Sequence, residues 1–242
     1  MLKKFRFLLL AAVLGLLQSA AGHAAVTAGD TAPDFQLPDA AGQERSLADF
    51  KGKYIVLEWT NPDCPFVKKH YGPGNMQQLQ ETYTAKGVIW LSMASSAPGL
   101  QGHYDGKTWQ KLTEERKAYP TAVLLDPAGT VGKLYGAQTT PHMFVIHPDG
   151  TVIYSGAIDS TPSPHSEDIT GSTNFVAQAL DEAMSGREIK TASTKAYGCS
   201  VNMLRKSPYS FASAAKRAAF YSLALAMAVS SNGFAESGHL KS

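Results

Sequence analysis

The amino-acid sequence predicts an α/β fold, a three-layer α/β/α sandwich with a mixed central sheet. Buried-strand patterns at 54–60, 87–96 and 121–126 alternate with segments of helical composition. Strands that alternate with helices favour parallel pairing through right-handed crossovers. Two further β-rich runs flank the sequence His-Pro-Asp-Gly at 147–150, and an Asp-Gly turn between such runs predicts a hairpin that adds antiparallel strands.

The sequence begins with the three-part pattern of a secretory signal peptide. Lys3, Lys4 and Arg6 form a basic start, an apolar run follows over 7–17, and small residues lead to a cleavage position after Ala24. The apolar run is roughly half the ~20 residues that a membrane-spanning helix needs. We therefore expect export to the periplasm or secretion, with a retained anchor as the alternative and no stable membrane span.

The composition fits one globular domain at 25–203 between the signal peptide at 1–24 and a tail at 204–242. Hydrophobic residues make up 44%, charged residues 17%, and the net charge is +2. Because no basic stripe with interleaved aromatics is present, nucleic acid is excluded as an expected partner. The tail carries an apolar run at 218–229 after a basic pair, and we expect a poorly packed appendage without a catalytic part.

Local signals place the remaining elements. A turn-rich segment at 29–53 precedes the first strand, and Pro65 suits the first turn of a helix because its missing N–H costs nothing there. Helical composition resumes at 75–86. Later helices are expected at 108–119, with Thr108 as N-cap, and at 173–184, where apolar residues recur at helical spacing.

Cys64 stands where the first strand ends and the first helix begins, and it is one of two cysteines. A helix N-terminus and nearby cations lower the pKa of a thiol and favour the reactive thiolate. Lys68 and Lys69 follow within the first turn and a half. We therefore predict that Cys64 is a nucleophile, and the alternative is a buried, inert cysteine.

Cys199 is the second cysteine. An oxidising compartment permits a static bridge to Cys64. Alternatively, Cys199 acts as a resolving thiol that attacks an oxidised Cys64, or the two residues do not meet. The sequence leaves these three arrangements open.

The element order, with Cys64 at the first strand-to-helix junction and Thr-Pro before the hairpin, resembles the thioredoxin fold. The segments at 32–59, 60–72 and 196–201 resemble a peroxiredoxin-like subgroup of the alkyl-hydroperoxide-reductase/thiol-specific-antioxidant redoxins. The likeness covers 27–202. It implies a thioredoxin-like sandwich and a thiol-dependent oxidoreductase.

The resemblance also implies roles for particular residues. The Thr140–Pro141 bond is expected to be cis, and Thr140 to offer backbone groups to an incoming partner beside Cys64. Thr60 and Asn61 stand near the position from which peroxiredoxins use a Thr or Ser, so either is a candidate hydrogen-bond donor to a peroxide.

The chain departs from related motifs in two ways. Val67 stands where a Cys-x-x-Cys motif has its second cysteine, which disfavours the usual dithiol route. Lys68 stands where the copper-delivery motif Cys-x-x-x-Cys has its second cysteine, and the histidines are scattered. We therefore expect no metal and no cofactor.

Two functions follow. The first is an exported thiol-dependent oxidoreductase whose Cys64 thiolate reacts with a peroxide or with the disulfide of a protein partner, with an unidentified thiol as reductant. The second is a non-enzymatic binding module that has kept the fold and lost turnover.

Overall fold

A computed structural model of the protein describes residues 25–204. The predictions for 1–24 and, apart from its first residue, for 204–242 lie outside this range. The strands are β1 (Gln36–Pro38), β2 (Glu44–Ser46), β3 (Ile55–Trp59), β4 (Ile89–Ala94), β5 (Ala122–Leu125), β6 (Thr139–Thr140), β7 (His142–Ile146), β8 (Val152–Gly156) and β9 (Cys199–Ser200). The α-helices are α1 (Pro65–Tyr71), α2 (Asn75–Ala85), α3 (Gly106–Glu115), α4 (Thr130–Tyr135) and α5 (Phe175–Met184).

The central sheet has five strands in the order β5-β4-β3-β7-β8. Strands β3, β4 and β5 are parallel, whereas β7 runs antiparallel to β3 and β8 runs antiparallel to β7. The predicted parallel core and the predicted hairpin are both confirmed, and the sheet is mixed. This is the thioredoxin-like arrangement that the resemblance implies.

An apolar core covers each face of the sheet. Along β3, Leu57 and Trp59 point to one core, and Val56 points to the other, because successive side chains of a strand alternate between faces. The second core also receives apolar side chains from α1, α2 and α5, and it includes Cys64. The packing therefore fixes the start of α1 against the sheet.

The structure corrects the N-cap and the end that were predicted for the helix at 108–119. Asp105, not Thr108, caps α3, because the Asp105 carboxylate accepts the Thr108 N–H at 2.8 Å. The helix also ends at Glu115, earlier than predicted, and Lys117 follows with φ 51°. The segment at 29–53 is more regular than its turns suggest, since it contains the antiparallel pair β1–β2.

The chain after α5 runs back along the sheet and ends beside the start of β7. Ser155 in β8 donates its N–H to Ala192, and Thr194 donates its N–H to Ser155. Farther along, β9 pairs with β6. Between residues 25 and 204, no helix is both long and apolar enough to cross a membrane.

Candidate active site

Cys64 is the N-cap residue of α1 and closes a tight turn after β3. Its N–H donates to the carbonyl of Asn61 at 3.1 Å, and the N–H of Asp63 donates to Asn61 Oδ1 at 2.9 Å. Pro65 occupies the first turn of the helix, where an N–H would have no helical partner. The Cys64 side chain is 0% exposed. The residues next to Cys64 in sequence therefore place its thiol at the start of the helix, where it is buried.

Cys199 reaches the same place from the other end of the domain. In the β6–β9 pair, Thr140 lies opposite Cys199 and Thr139 opposite Ser200. The Cys64 and Cys199 sulfur atoms are 2.7 Å apart. The carbonyl oxygen of Thr140 lies 3.1 Å from the Cys64 sulfur. The predicted cis bond between Thr140 and Pro141 is confirmed.

Gly198 permits this close approach. Its φ is +136°, and a Cβ atom added there would lie 2.1 Å from the carbonyl oxygen of Thr140. Backbone angles of this kind suit glycine, and no other residue fits so near to β6. The glycine before Cys199 therefore lets the last strand lie against Thr140.

The two thiols have opposite pKa shifts. Burial raises the pKa of Cys64, but hydrogen bonds from the Cys199 and Thr140 side chains favour the thiolate, and the N–H groups of Cys199 and Val67 add to them. The net effect is a lowered pKa of Cys64. Burial raises the pKa of Cys199 to about 12, and its hydrogen bond to Cys64 and the charge of Cys64 act in the same direction. Cys64 is therefore the thiol that ionises first.

The lysines predicted to assist Cys64 do not account for its acidity. Lys68 is exposed. Lys69 is buried, and its ammonium group pairs with the Asp159 carboxylate at 2.9 Å. The causes of the lowered Cys64 pKa are hydrogen bonds. The prediction of a lowered pKa is confirmed, but the part assigned to lysine cations is wrong because Lys69 has another partner.

Thr60 and Asn61 are buried just before Cys64. Thr60 lines a small cavity with Tyr71 and Arg116. The Asn61 side chain accepts the N–H of Asp63 in the turn before Cys64. It also packs closely on Gly102, since a Cβ atom added at Gly102 would lie 2.5 Å from the Asn61 side chain. In the part of the chain that the structure describes, neither side chain hydrogen-bonds to the Cys64 sulfur, so their role toward a peroxide stays a prediction.

Two buried polar groups near the site were missed by sequence reasoning. Glu58 of β3 is fully buried and accepts hydrogen bonds from Trp90 Nε1 at 2.8 Å and Tyr71 OH at 2.9 Å. Burial raises the pKa of its carboxyl group. A charged residue inside an apolar strand was the signal available. The second is a cluster that contains Lys69 and Asp159. These two residues lie too far apart in sequence to be recognised as partners.

Within residues 25–204, the histidines do not belong to a group of side chains that could hold a metal ion. Burial lowers the pKa of His70 and of His142 to about 4 each. Over residues 25–204, no three His, Cys, Asp or Glu side chains are grouped so as to hold a metal ion.

Comparisons with known proteins agree with this chemistry. The AhpC/TSA family matches residues 28–155, which are more than half of the chain. Thiol-disulfide oxidoreductase ResA of Geobacillus thermodenitrificans is 28% identical over 162 residues, covering 63% of this chain and 87% of that protein. The ResA of Bacillus thuringiensis subsp. konkukian is 30% identical over 125 residues, covering 52% of this chain and 66% of that protein.

Two solved structures share the fold over most of their length. An uncharacterized conserved protein from Geobacillus kaustophilus is 26% identical with a TM-score of 0.64, covering 74% of this chain and 93% of that chain. A hypothetical protein from Sinorhizobium meliloti 1021 is 23% identical with a TM-score of 0.65, covering 75% of this chain and 97% of that chain.

Proposed function

The chain belongs to the AhpC/TSA family and is a thiol-dependent oxidoreductase, and from this premise we propose that it reduces a protein disulfide through Cys64 and Cys199. One observation carries the proposal. Two sulfur atoms that are 135 residues apart in sequence lie 2.7 Å apart, and the pKa of one is lowered while that of the other is raised. Such a pair has a defined nucleophile and a defined resolving thiol.

The proposed reaction has two exchange steps. The Cys64 thiolate attacks one sulfur of the partner's disulfide, a mixed disulfide forms, and the partner's other sulfur leaves as a thiolate. Cys199, once deprotonated, then attacks the Cys64 sulfur and releases the partner's second thiolate. The partner gains two electrons, and the protein is left with a Cys64–Cys199 disulfide that an external thiol must reduce.

The geometry supplies a reason for the order of these steps. The charge of Cys64 and its hydrogen bond help to raise the pKa of Cys199. Once Cys64 forms a mixed disulfide, its charge is gone, so Cys199 loses its proton more easily. The resolving thiol is therefore activated by the first step and stays protonated before it.

The β6 edge supports a protein partner. The segment that carries Cys199 already lies there as an antiparallel strand opposite Thr139 and Thr140. An extended peptide that adds a strand to such an edge gains main-chain hydrogen bonds. Because Cys64 is fully covered, the partner takes the place of the Cys199 segment at the first step. Thr140 and Pro141 would then line the partner's binding position.

A peroxide is the second candidate oxidant, and the AhpC/TSA family match favours it. The Cys64 thiolate would take one oxygen from a hydroperoxide and release an alcohol or water. Cys199 would then condense with the sulfenic acid, releasing water. Rapid-mixing measurement of Cys64 sulfenylation checks this candidate, since a thiol that reacts no faster than free cysteine has no peroxidase role.

We also propose that residues 1–24 direct export to the periplasm, where disulfides persist and form natural substrates. The protein then has two reaction partners. The oxidant is the disulfide of an exported protein, and the reductant is a thiol of unassigned identity.

Trapping tests the proposed function. A full-length Cys199→Ser chain is mixed with a disulfide-containing protein, and mixed disulfides are read by mass spectrometry. We expect adducts on Cys64 that accumulate because they cannot resolve, and none in Cys64→Ser. Partners that remain bound after thiol blocking, with no adduct on Cys64, would instead support the non-enzymatic binding module.

A further inference from the structure

A buried cluster joins the helix of Cys64 to the segment of Cys199. Lys69 in α1 donates to Asp159 Oδ2 at 2.9 Å, and the two side chains are 0% and 3% exposed. Tyr197 donates its hydroxyl to Asp159 Oδ1 and lies 3.3 Å from Lys69 Nζ. We call Lys69, Asp159 and Tyr197 the latch.

The charges of the latch are paired within the protein. Lys69 also donates to the carbonyl of Thr161 at 2.8 Å, and His70 lies 3.8 Å from Asp159. Burial lowers the pKa of His70 to about 4, so at neutral pH this imidazole is uncharged. The Lys69 ammonium is then the cation that offsets the Asp159 carboxylate. A buried ion pair needs further hydrogen bonds to be tolerated, and the Tyr197 hydroxyl supplies one.

The position of the latch relates it to the two sulfur atoms. Tyr197 precedes Cys199 by two residues, and Lys69 follows Cys64 by five. The Tyr197 ring also packs edge-on against Phe66, with ring centroids 5.8 Å apart. The β6–β9 pair contains two residue pairs, and an isolated strand pairing of that length is weak. The latch is therefore a further attachment of the Cys199 segment, in addition to its backbone hydrogen bonds to Ser155.

We propose that Tyr197 is a positioning residue that holds the Cys199 sulfur at Cys64 while both thiols are reduced. This role deepens the proposed function and rests on it. When the segment is already in place, forming the intramolecular disulfide requires little further ordering. Without the hydroxyl, the reduced segment gains freedom, whereas the disulfide form stays tethered by its covalent bond. The latch thereby favours the oxidised pair.

The exchange equilibrium between the protein and glutathione measures how strongly the latch favours the oxidised pair. The Cys64 thiolate attacks glutathione disulfide and releases one glutathione thiolate, and Cys199 then displaces the second. The products are the Cys64–Cys199 disulfide and two molecules of reduced glutathione. The equilibrium constant of this exchange reports how favourably the two protein sulfur atoms are held together.

The decisive comparison is Tyr197→Phe against Tyr104→Phe in the full chain. Tyr197→Phe keeps the ring on Phe66 and removes the hydroxyl. Tyr104 donates its hydroxyl to Asp63 at 2.9 Å, so its variant removes a similar hydrogen bond beside Cys64 but off the Cys199 segment. Quantifying alkylated and oxidised forms by mass spectrometry across glutathione ratios gives each equilibrium constant.

We expect Tyr197→Phe to lower the equilibrium constant by about tenfold, because hydrogen bonds to charged groups are among the stronger ones. For a two-electron couple this is a reduction potential about 30 mV more positive. Tyr104→Phe should stay within about twofold of the parent chain. A purely structural role would weaken oxidised and reduced forms alike and leave the constant unchanged, so an unchanged constant in Tyr197→Phe overturns the proposal.

A third variant separates this inference from the proposed function. In Cys199→Ser, glutathione disulfide should still form a mixed disulfide with Cys64. If it does not, the proposed function fails. If it does and Tyr197→Phe has no effect on the equilibrium, only the positioning role fails.

Discussion

The surroundings of Cys64 and Cys199 differ although the two sulfur atoms lie 2.7 Å apart. Cys64 is the N-cap of a helix that packs on the central sheet, and hydrogen bonds lower its pKa. Cys199 lies in a two-residue strand on an irregular segment, and its pKa is raised to about 12. The same functional group thus receives opposite acidities from its surroundings.

Under the proposed function, these opposite pKa shifts suit two separate tasks. A nucleophile has to be ionised before the substrate arrives. A resolving thiol that ionised at the same time would place a second negative charge beside the first, and the two charges would repel each other. Hydrogen bonds to one sulfur stabilise a single negative charge, and that charge disfavours a second one nearby. The proposed order of reaction therefore follows from the two pKa shifts.

The largest effects are expected when each thiol is removed in turn, which tests the different roles of Cys64 and Cys199. Cys64→Ser should lower the rate of disulfide reduction by at least about a thousandfold, since loss of a nucleophile is among the most damaging changes to an enzyme. Cys199→Ser should retain a single reaction of Cys64 and lose turnover. Single-turnover and steady-state assays with one disulfide substrate distinguish the two. Equal rates of adduct formation in both variants would contradict the assignment.

The attachment of the Cys199 region is tested by Asp159→Asn. Removing this carboxylate leaves the Lys69 ammonium buried without its partner, and breaking such a pair costs about 3 kcal/mol or more. Urea unfolding of the full chain measures the free energy of unfolding.

The matched control for that measurement is Asp149→Asn, because Asp149 pairs with His147 at 3.1 Å but is largely exposed. Water screens an exposed pair of this kind, so its loss should hardly change the free energy of unfolding. Similar losses in the two variants would show that the Asp159 pair is not a special attachment.

The close approach of the two regions depends on Gly198. A methyl group there would meet the Thr140 carbonyl oxygen, and we expect Gly198→Ala to cost about 2 kcal/mol through local strain. Disulfide formation between Cys64 and Cys199 should slow roughly tenfold or more, because about 1.4 kcal/mol corresponds to a factor of ten.

Gly171→Ala is the control for that variant. Gly171 has φ +88°, but an added Cβ would meet nothing within 4 Å, so this variant reports backbone strain without the steric clash. If both alanine variants oxidise at the same rate, the contact with Thr140 does not limit the approach of Cys199.

The smallest expected effect concerns the hydrogen bond between the two sulfur atoms. Cys199→Ala removes a donor to the Cys64 thiolate, so the pKa of Cys64 should rise. Cys199→Ser keeps a donor, and its Cys64 pKa should lie lower than in Cys199→Ala. Thiolate absorbance against pH measures both. The same pKa in the two variants would show that this hydrogen bond does not stabilise the thiolate.

Local patterns predicted the half of the site around Cys64. The strand before it and Pro65 after it are neighbours in sequence, so a single loop contained the signal for a thiol at a helix start. The Thr108 cap was wrong because Asp105, three residues earlier, offers a carboxylate to the same N–H. Local competition of this kind shifts the ends of elements and leaves their order unchanged.

The half around Cys199 could not be derived in the same way. Its position depends on a strand of two residues that pairs with β6 across a long stretch of chain. Lys69 was predicted to be a cation that assists Cys64, since its actual partner, Asp159, comes 90 residues later. Tyr197 lies in the segment 196–201 that resembles the family, but no local pattern pointed to a partner for its side chain. Contacts made only in the folded chain determine this half.

The most direct test is the alkylation of each cysteine as a function of pH in the reduced parent chain. Iodoacetamide labelling, followed by mass spectrometry of the separate peptides, gives one titration curve per thiol. We predict that labelling of Cys64 rises with pH through a midpoint below that of an ordinary cysteine, while Cys199 stays unlabelled until much higher pH. Labelling of Cys199 first, or of both thiols together at the ordinary midpoint, would contradict the account.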